Sequence, residues 1–251
     1  LRKAWLCSRG WVYDKGSYLS VLYADTILYS HSNALPVAVG LYSQFLPLNN
    51  YVDIIYMKLH LGCGKLRLDD FTNIDVSSDV ADLKLDFTDL SIFNDGKIEE
   101  IYISHALEHF KRREIIPLIL EWNRILRIDG VLRIAVPDFE KVVKVYLENK
   151  DLSKLTGFLS GGQRDDYDIH FVNFDINILE KLLKACGFDS VERYNAFEFL
   201  GDKDDYSKCY LPHMDFDNGE LMSLNVICRK NKNVTRDDLF LCDTLKTFTK
   251  F

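Results

Sequence analysis

The sequence predicts an α/β fold in which a mostly parallel sheet is covered by helices on both of its faces. From Met57 onward, short apolar stretches with alternating polarity are interspersed with longer stretches whose apolar residues recur at helical spacing. This alternation is typical of parallel strands joined by helical crossovers. A Gly-Cys-Gly corner also follows the first strand, and an acid, Asp75, ends the second. Such an order places a nucleotide-like ligand at the carboxyl ends of the strands, with the acid suited to its ribose.

The individual elements follow from the same patterns. The strands are predicted at Lys58–Leu61, Thr72–Val76, Asp82–Asp86, Glu99–Ser104, Val131–Val136, Ser190–Leu200 and Leu221–Arg229. The helices are predicted at His105–Arg112, Glu114–Arg127, Phe139–Leu147 and Ile176–Cys186. The second helix has one broad apolar stripe and is expected to end at Asp129-Gly130, where glycine tolerates a left-handed cap. The last two strands would form an antiparallel hairpin, and an irregular insertion at Asp151–Asp168 contains a Gly-Gly-Gln loop.

Composition divides the chain into three parts. Residues 1–56 are rich in tyrosine and poor in charge, and this composition changes at Met57. We expect an N-terminal extension at 1–56, in which Tyr18–Tyr29 is a short helix or strand, a functional domain at 57–230 and a polar tail at 231–251. The tail has one helix candidate, Asp238–Phe248. Met57 is the expected natural start of the functional domain, with a packed N-terminal subdomain as the equal alternative.

Length and charge limit the function classes. The 251 residues, 47% of them hydrophobic, suffice for one substantial core. The net charge of -7 disfavours binding of bulk nucleic acid, which depends on clustered Lys and Arg. Six cysteines without a C-x-x-C pair indicate reduced thiols. No apolar run reaches the roughly 18 to 20 residues of a membrane span, and residues 1–20 lack a signal-peptide pattern. The expected location is the cytoplasm, and the oligomeric state is not indicated.

Several motifs between Met57 and Lys230 occur in a characteristic order: LHLGCG, NID, SHALEHF, LRIDGVLRIAVPDFE, a GGQ loop, DIHFVNFD, LLKACGF and SLNV. Together they resemble a class I S-adenosylmethionine-dependent methyltransferase, most closely the small bacterial-type group associated with surface-polysaccharide genes. The resemblance implies a Rossmann-like seven-stranded sheet with a final antiparallel strand. It also implies S-adenosyl-L-methionine as cofactor and methyl transfer to a small-molecule or glycan acceptor, with a sugar hydroxyl preferred.

The chain departs from this family in two places. The loop from Gly64 to Asp75 is short, so the first crossover helix has at most a turn or two. The residues Ile128-Asp129-Gly130-Val131 stand where the family usually has Pro-Gly-Gly. The first departure leaves fewer contacts for the cofactor, whereas the second affects only a turn that supports the fold.

The resemblance implies which residues bind the cofactor. Gly62 and Gly64 would let the backbone pass beneath its methionine part, and Asp75 would accept hydrogen bonds from both ribose hydroxyls. Asp86 would lie beside the adenine amino group, although Asp82 and Asp89 are nearby competitors. The full predicted set is Leu61, Gly62, Cys63, Gly64, Asp75, Val76, Asp86, Phe87, Ser104 and His105. An ordinary tight turn and a solvated acid are the alternative interpretations of the glycines and of Asp75.

The predicted catalytic residues follow from the chemistry. A sulfonium methyl group is already a good electrophile, so the protein has mainly to hold the acceptor in line with it and exclude water. An acceptor hydroxyl also needs a base, and histidine is the side chain best suited to this near neutral pH. The candidates are His105, His109 and His170, of which His170 and His105 are preferred. Asp138 is a further candidate, although capping of the following helix explains it as well.

Three other function classes remain as alternatives. The residues His105-Ala-Leu-Glu108-His109 match H-x-x-E-H, the inverted zinc-protease pattern, with Glu108 as base and a distant acid such as Glu180 as third ligand. The glycine corner that precedes them favours the methyltransferase, so no metal is predicted. A non-catalytic Rossmann-like binding module is the main alternative. A nucleotide-dependent dehydrogenase is weaker, because the third glycine and a longer loop are missing.

Overall fold

The computed structural model of the chain comprises two units, residues 1–56 and 57–251. It describes the backbone of short strands at Leu6–Cys7, Gly10–Trp11, Tyr13–Lys15, Tyr18–Tyr23 and Thr26–Tyr29, and then residues 57–213, 215–239 and 248. In the first unit, the first two of these strands pair with each other and the last three form an antiparallel sheet. Of the two predictions for Tyr18–Tyr29, strand is therefore the one observed.

The second unit is built on a sheet of seven strands. These are β1 (Met57–Leu61), β2 (Thr72–Asp75), β3 (Leu83–Lys84), β4 (Ile98–Ser104), β5 (Leu126–Pro137), β6 (Phe188–Arg193) and β7 (Ser223–Lys230). Their spatial order is β6-β7-β5-β4-β1-β2-β3. Strands β1 to β5 pair in parallel, whereas β7 is antiparallel to both β5 and β6. The predicted Rossmann-like sheet, mostly parallel with a final antiparallel strand, is confirmed.

Six helices accompany the sheet in the described part of the second unit. They are α1 (Arg112–Ile125), α2 (Phe139–Asn149), α3 (Thr156–Ser160), α4 (Ile176–Ala185), α5 (Ala196–Leu200) and α6 (Arg236–Leu239). Short 3-10 turns lie at Leu107–His109 and Tyr206–Lys208, and Tyr210–Leu211 pairs with Glu220–Leu221. None of the helices described is both long and apolar enough to cross a bilayer. The cytoplasmic location stays a prediction.

The two faces of the sheet differ in polarity. One face carries the main core, in which alternate strand residues such as Leu59 and Ile103 pack with the apolar stripes of α1 and α4. On the other face Tyr102 packs with α5 and with apolar side chains of the segment 65–71. Buried polar side chains, among them His60 and Asn73, lie on this second face. The segments that cover this face are therefore held by hydrogen bonds as well as by apolar contacts.

Two of the predicted elements near β5 and β6 are wrong in their bounds. The helix predicted to reach Asp129-Gly130 ends at Ile125, and the left-handed residue is Asp129, with φ 62°, and not the glycine. Gly130 is needed for space, since a Cβ there would lie 2.7 Å from Arg127 O. The predicted strand Ser190–Leu200 ends at Arg193 and is followed by α5.

The start of the predicted tail is attached to the end of α1. Lys230 is buried, and its Nζ donates hydrogen bonds to the carbonyl oxygens of Asn123 and Leu126. The Asn123 side chain in turn donates to Lys232 O at 2.9 Å and accepts from Val234 N at 3.3 Å. These bonds satisfy polar groups where the helix ends. The limits 57–230 and 231–251 stay predictions, and most of the helix candidate Asp238–Phe248 lies outside the described residues.

Candidate functional site

The candidate site begins at the Gly-Cys-Gly corner after β1. Gly62 and Gly64 have φ values of 64° and 54°, a conformation that favours glycine. A Cβ on Gly62 would lie 3.2 Å from Phe87 Cε1 and 3.6 Å from Ala106 Cβ, so larger residues would crowd the corner. On Gly64, by contrast, a Cβ would meet no atom within 4 Å. The corner thus presents bare backbone at the carboxyl ends of β1 and β4.

Asp75, at the end of β2, joins this corner to the loop that follows. Its Oδ2 accepts a hydrogen bond from Gly64 N at 3.0 Å, and its Oδ1 accepts from Ser77 N and Ser78 N, both at 2.9 Å. Burial alone would raise the pKa of this carboxyl, but the three backbone donors outweigh it and the pKa lies below its ordinary value. Asp75 is therefore an ionised acid that already holds two backbone turns together.

The loop between β1 and β2 is organised by a side chain and not by a crossover helix. The described residues 62–71 contain no helix, in line with the short loop in the sequence. The buried amide of Asn73 takes over this role. It accepts from Leu68 N at 2.9 Å and donates to Leu68 O and Phe71 O at 3.0 and 2.9 Å. One asparagine thus holds the loop segment 68–71 that lies between the glycine corner and β2.

The other predicted cofactor residues border the corner in different ways. Leu61 and Cys63 are buried, whereas the side chain of Val76 is 56% exposed. Phe87 is half-buried and packs edge-on against Phe110, with 5.6 Å between the ring centroids. These placements make Phe87 the apolar wall of the corner.

The three acids near Phe87 differ in the contacts that their carboxylates make. Asp82 is engaged, because it forms an ion pair of 2.8 Å with Arg67 and accepts from Asn73 N. Asp89 accepts from Ser91 N. Asp86 is exposed, and its Oδ1 accepts from Thr88 N at 2.9 Å. Of the acids weighed from the sequence, Asp86 directly precedes the apolar wall.

The turn after β4 places His105 between two polar groups. The predicted helix His105–Arg112 is absent, because His105 has φ 47° and only a 3-10 turn follows at Leu107–His109. The His105 Nε2 lies 2.9 Å from Ser223 Oγ, and Nδ1 lies 3.3 Å from Glu108 Oε1. The preceding residue, Ser104, has a buried hydroxyl that finds no hydrogen-bond partner among the described residues. Such an unpaired group at a strand end suits a polar ligand.

His170 reaches the same turn from the insertion between α2 and α4. The Gly-Gly-Gln loop closes on Asp168, which accepts hydrogen bonds from Gly162 N and Gln163 N. An ion pair of 2.6 Å with Arg164 contributes most to lowering the Asp168 pKa to about 2. This loop brings His170 Nε2 to 4.0 Å from Glu108 Oε1. Burial lowers the pKa of His170, although Glu108 opposes this.

The arrangement differs from an inverted zinc-protease site. His105 and His109 are not on one face of a helix, and Glu180 is paired with Lys184 on α4 at 2.6 Å. Glu108 itself is fully buried. Burial would raise the pKa of Glu108, but nearby histidines, His105 foremost, hold it below its ordinary value. The sequence did not single out the contact of Glu108 with His170.

Asp138 is fully buried at the end of β5 and uses both carboxylate oxygens. Oδ1 accepts from Glu140 N at 3.1 Å as the N-cap of α2, and Oδ2 accepts from Arg193 Nη1 at 2.9 Å. The cap was one of the two interpretations of the sequence. The sequence did not predict the ion pair of Asp138 with Arg193, because Asp138 directly follows β5 and Arg193 ends β6, and these strands are far apart in sequence.

Comparisons with known proteins give fold-level similarity only. No protein-family model matches the chain, and neither does any curated protein sequence. A similar solved structure is a SAM-dependent methyltransferase from Archaeoglobus fulgidus, with 14% identity, a TM-score of 0.44 and coverage of 70% of this chain and 86% of that one. Another, from Methanosarcina mazei, has 16% identity, a TM-score of 0.44 and coverage of 70% and 92%. The Burkholderia thailandensis 1,6-didemethyltoxoflavin-N1-methyltransferase, solved with S-adenosylhomocysteine, has 14% identity, a TM-score of 0.45 and coverage of 70% and 71%.

Proposed function

We propose that this chain is an S-adenosylmethionine-dependent methyltransferase that acts on a small-molecule or glycan acceptor, in particular a sugar hydroxyl. The observation that carries the proposal is the corner at the end of β1, where two glycines of positive φ present bare backbone beside the ionised Asp75. The sheet has the predicted order of parallel strands with a final antiparallel one. This edge is where such sheets bind nucleotide-like ligands.

The residues at the corner fit the cofactor. Bound there, S-adenosyl-L-methionine supplies a methyl group that is already activated for transfer. Gly62 and Gly64 let its chain approach the backbone, and Asp75 accepts from its ribose. Phe87 provides an apolar surface for the adenine, with Asp86 beside it. The hydroxyl of Ser104 lies where β4 ends and has no hydrogen-bond partner among the described residues.

Of the three predicted catalytic residues, we assign His105 the role of accepting the proton of an acceptor hydroxyl. Its Nδ1 lies 3.3 Å from Glu108 Oε1, and in the tautomer with the proton on Nδ1 the lone pair of Nε2 can accept the proton of the acceptor hydroxyl. The Ser223 hydroxyl, 2.9 Å from Nε2, donates to Asn225 Oδ1 and leaves this role to the acceptor. His170 Nε2 faces the buried Glu108 instead. Asp138 has both oxygens engaged, and we assign it a role in holding the end of β5.

Exposed aromatic side chains support a sugar acceptor. Tyr206 is 65% exposed, and its ring centroid lies 5.7 Å from that of His105. Phe171, at 45%, and Phe216, at 46%, are also exposed. Exposed aromatic faces next to polar groups are typical of sugar-binding sites. The link with surface-polysaccharide synthesis belongs to this proposal.

Calorimetric titration with S-adenosylmethionine and S-adenosylhomocysteine tests the cofactor site. Asp75→Asn keeps the side-chain volume and one acceptor oxygen, which can still serve Ser77 N and Ser78 N while the bond from Gly64 N is lost. Loss of one charge-assisted hydrogen bond to the ribose of about 1.5–3 kcal/mol should weaken binding roughly 10- to 150-fold. Asp79→Asn is the control, because the Asp79 side chain is fully exposed. Asp75→Ala would release all three backbone donors of the loop, so it is expected to disturb the loop as well as the affinity.

Two results would contradict the proposal. Wild-type affinity in Asp75→Asn would show that this acid does not bind the cofactor. Absence of binding of either compound by the wild-type chain would favour the non-catalytic binding module.

If the cofactor binds, a screen of nucleotide sugars and lipid-linked glycans with labelled methyl groups identifies the acceptor. His105→Gln should then reduce transfer while cofactor affinity stays within about twofold.

A further inference from the structure

Glu108 is a fully buried carboxylate that lacks hydrogen-bond donors. It is 0% exposed, and neither of its carboxylate oxygens accepts a hydrogen bond from the residues that the structure describes. His105 Nδ1 lies 3.3 Å from Oε1, outside hydrogen-bond geometry. A buried carboxylate of this kind is stable only beside a cation or several donors. The described residues therefore do not supply the donors or the cation that the Glu108 carboxylate needs.

Two histidines near Glu108 are oriented by backbone carbonyl groups. His109 Nδ1 lies 3.2 Å from Ile169 O, and His170 Nδ1 lies 3.0 Å from Phe158 O. Since a carbonyl oxygen only accepts, each Nδ1 carries the proton and donates it. In the neutral rings, Nε2 is then left with its lone pair. A carbonyl contact at the far nitrogen is the usual partner of a metal-binding histidine.

The three side chains converge. Glu108, His109 and His170 each offer one ligand atom, and these atoms all lie within 4.8 Å of one another. A carboxylate and two imidazole lone pairs are all acceptors, so their approach is unfavourable without a positive charge between them. Bonds to zinc of about 2.0–2.2 Å would place the ligand atoms about 3.4 Å apart. Binding thus requires any two ligand atoms to approach each other by at most about 1.4 Å.

The backbone already holds the two halves of this cluster together. The carbonyl oxygen of Glu108 accepts from Phe171 N at 2.8 Å and from Val172 N at 3.4 Å. His170 N donates to Ser160 O at 3.2 Å. The segment with His170 is therefore fixed beside the turn with Glu108 by bonds that involve none of the three ligand groups.

We propose that Glu108, His109 and His170 bind one Zn²⁺ ion. Two histidines and a glutamate are a donor set that zinc uses when a fourth position stays open for water. The ligand set differs from the H-x-x-E-H interpretation of the sequence, because Glu108 is a ligand and His105 is not one. The ion would join the turn after β4 to the insertion that follows α2. This inference does not depend on the methyltransferase proposal.

Zinc binding to the full chain tests the site. Protein stripped with a chelator is titrated with ZnCl₂ against a chromophoric zinc chelator, and bound metal is counted by mass spectrometry after gel filtration. One zinc ion per chain is expected, with an affinity lowered about 100-fold or more in His170→Ala and in Glu108→Gln. His213→Ala is the control, since His213 is exposed and should leave the affinity unchanged.

A thermal readout keeps the test independent of activity. Zinc should raise the Tm of the wild-type chain and of His213→Ala, but not that of His170→Ala. If Glu108→Gln fails to fold, His109→Ala and His170→Ala carry the test together. Retention of less than a tenth of an equivalent of zinc by the wild-type chain would overturn the proposal. Equal affinity in the wild-type chain and in His170→Ala would also overturn it.

Discussion

Replacement of Asn73 by leucine is expected to lower the free energy of unfolding by about 3 kcal/mol. The asparagine is 0% exposed, and its amide replaces the missing crossover helix between β1 and β2. Its Oδ1 accepts from Leu68 N and lies 3.2 Å from His60 Nδ1. Its Nδ2 donates to Leu68 O and Phe71 O and lies 3.0 Å from Asp82 Oδ2.

The magnitude follows from the groups that lose their partner. In Asn73→Leu the Leu68 N, the Phe71 O and the His60 Nδ1 are left without this amide, whereas Leu68 O keeps its bond from Phe71 N at 3.2 Å. A buried polar group that is left unpaired costs about 1–3 kcal/mol, so the three groups together cost roughly 3–9 kcal/mol. Water can reach part of the loop, because Lys65 and Arg67 are exposed. The expected value therefore lies at the lower end of that range.

Urea unfolding followed by circular dichroism measures the effect. Asn177→Leu makes the same change at an exposed position of α4, and its free energy of unfolding should stay within about 0.5 kcal/mol of the wild type. Asn73→Asp keeps the shape but faces Asp82, so it should be at least as destabilising near neutral pH. A loss below about 1 kcal/mol in Asn73→Leu, with an unchanged m value, would refute the role given to this amide.

Two further predictions concern buried ionisable groups. Burial lowers the pKa of His60 below its ordinary value of 6.5, although the hydrogen bond to Asn73 opposes this. The unfolded chain therefore takes up the proton more readily than the folded chain, so the free energy of unfolding falls as the pH drops below 6.5. Urea unfolding between about pH 7.5 and 5.5 should show a smaller fall in His60→Gln, and an equal fall would contradict this. Arg193→Ala should lower the free energy of unfolding by about 2 kcal/mol, because the buried Asp138 loses its partner while the arginine itself is half exposed. The same substitution at Arg113, whose side chain is 77% exposed, should have almost no effect, and equal losses at both sites would argue against the buried pair.

The sheet was predictable because its strands show their burial in the sequence. Stretches such as Ile98–Ser104 and Val131–Val136 place apolar residues at alternate positions, and these residues face the main core. The segment Ala196–Leu200 was misassigned, since AFEFL has the apolar content of a strand, and the cap at Asn195 decides for a helix. The helix at His105 was misassigned because nothing in a histidine indicates a left-handed backbone.

The site was predictable only where its residues are close in sequence. The glycine corner and Asp75 belong to one short stretch, and the structure joins them through the bond from Gly64 N. The contacts of Glu108 with His170 depend on a loop that folds back, which no local spacing encodes. The role of Asn73, by contrast, could have been predicted from the sequence. A polar residue in the middle of a short internal strand needs partners when the strand is buried.

The bond between Gly64 and Asp75 has a consequence for how this chain could evolve. Under the proposed function, one carboxylate both closes the loop and receives the ribose, so loop order and cofactor affinity are thermodynamically linked. Oδ1 already accepts two backbone donors and Oδ2 one, which leaves less capacity for two ribose hydroxyls than the sequence suggested. Substitutions in the loop can therefore tune affinity without contacting the ligand. Under the proposed function, adaptation of this chain to different cofactor levels would act on the residues that order the loop before it acts on the residues that contact the cofactor.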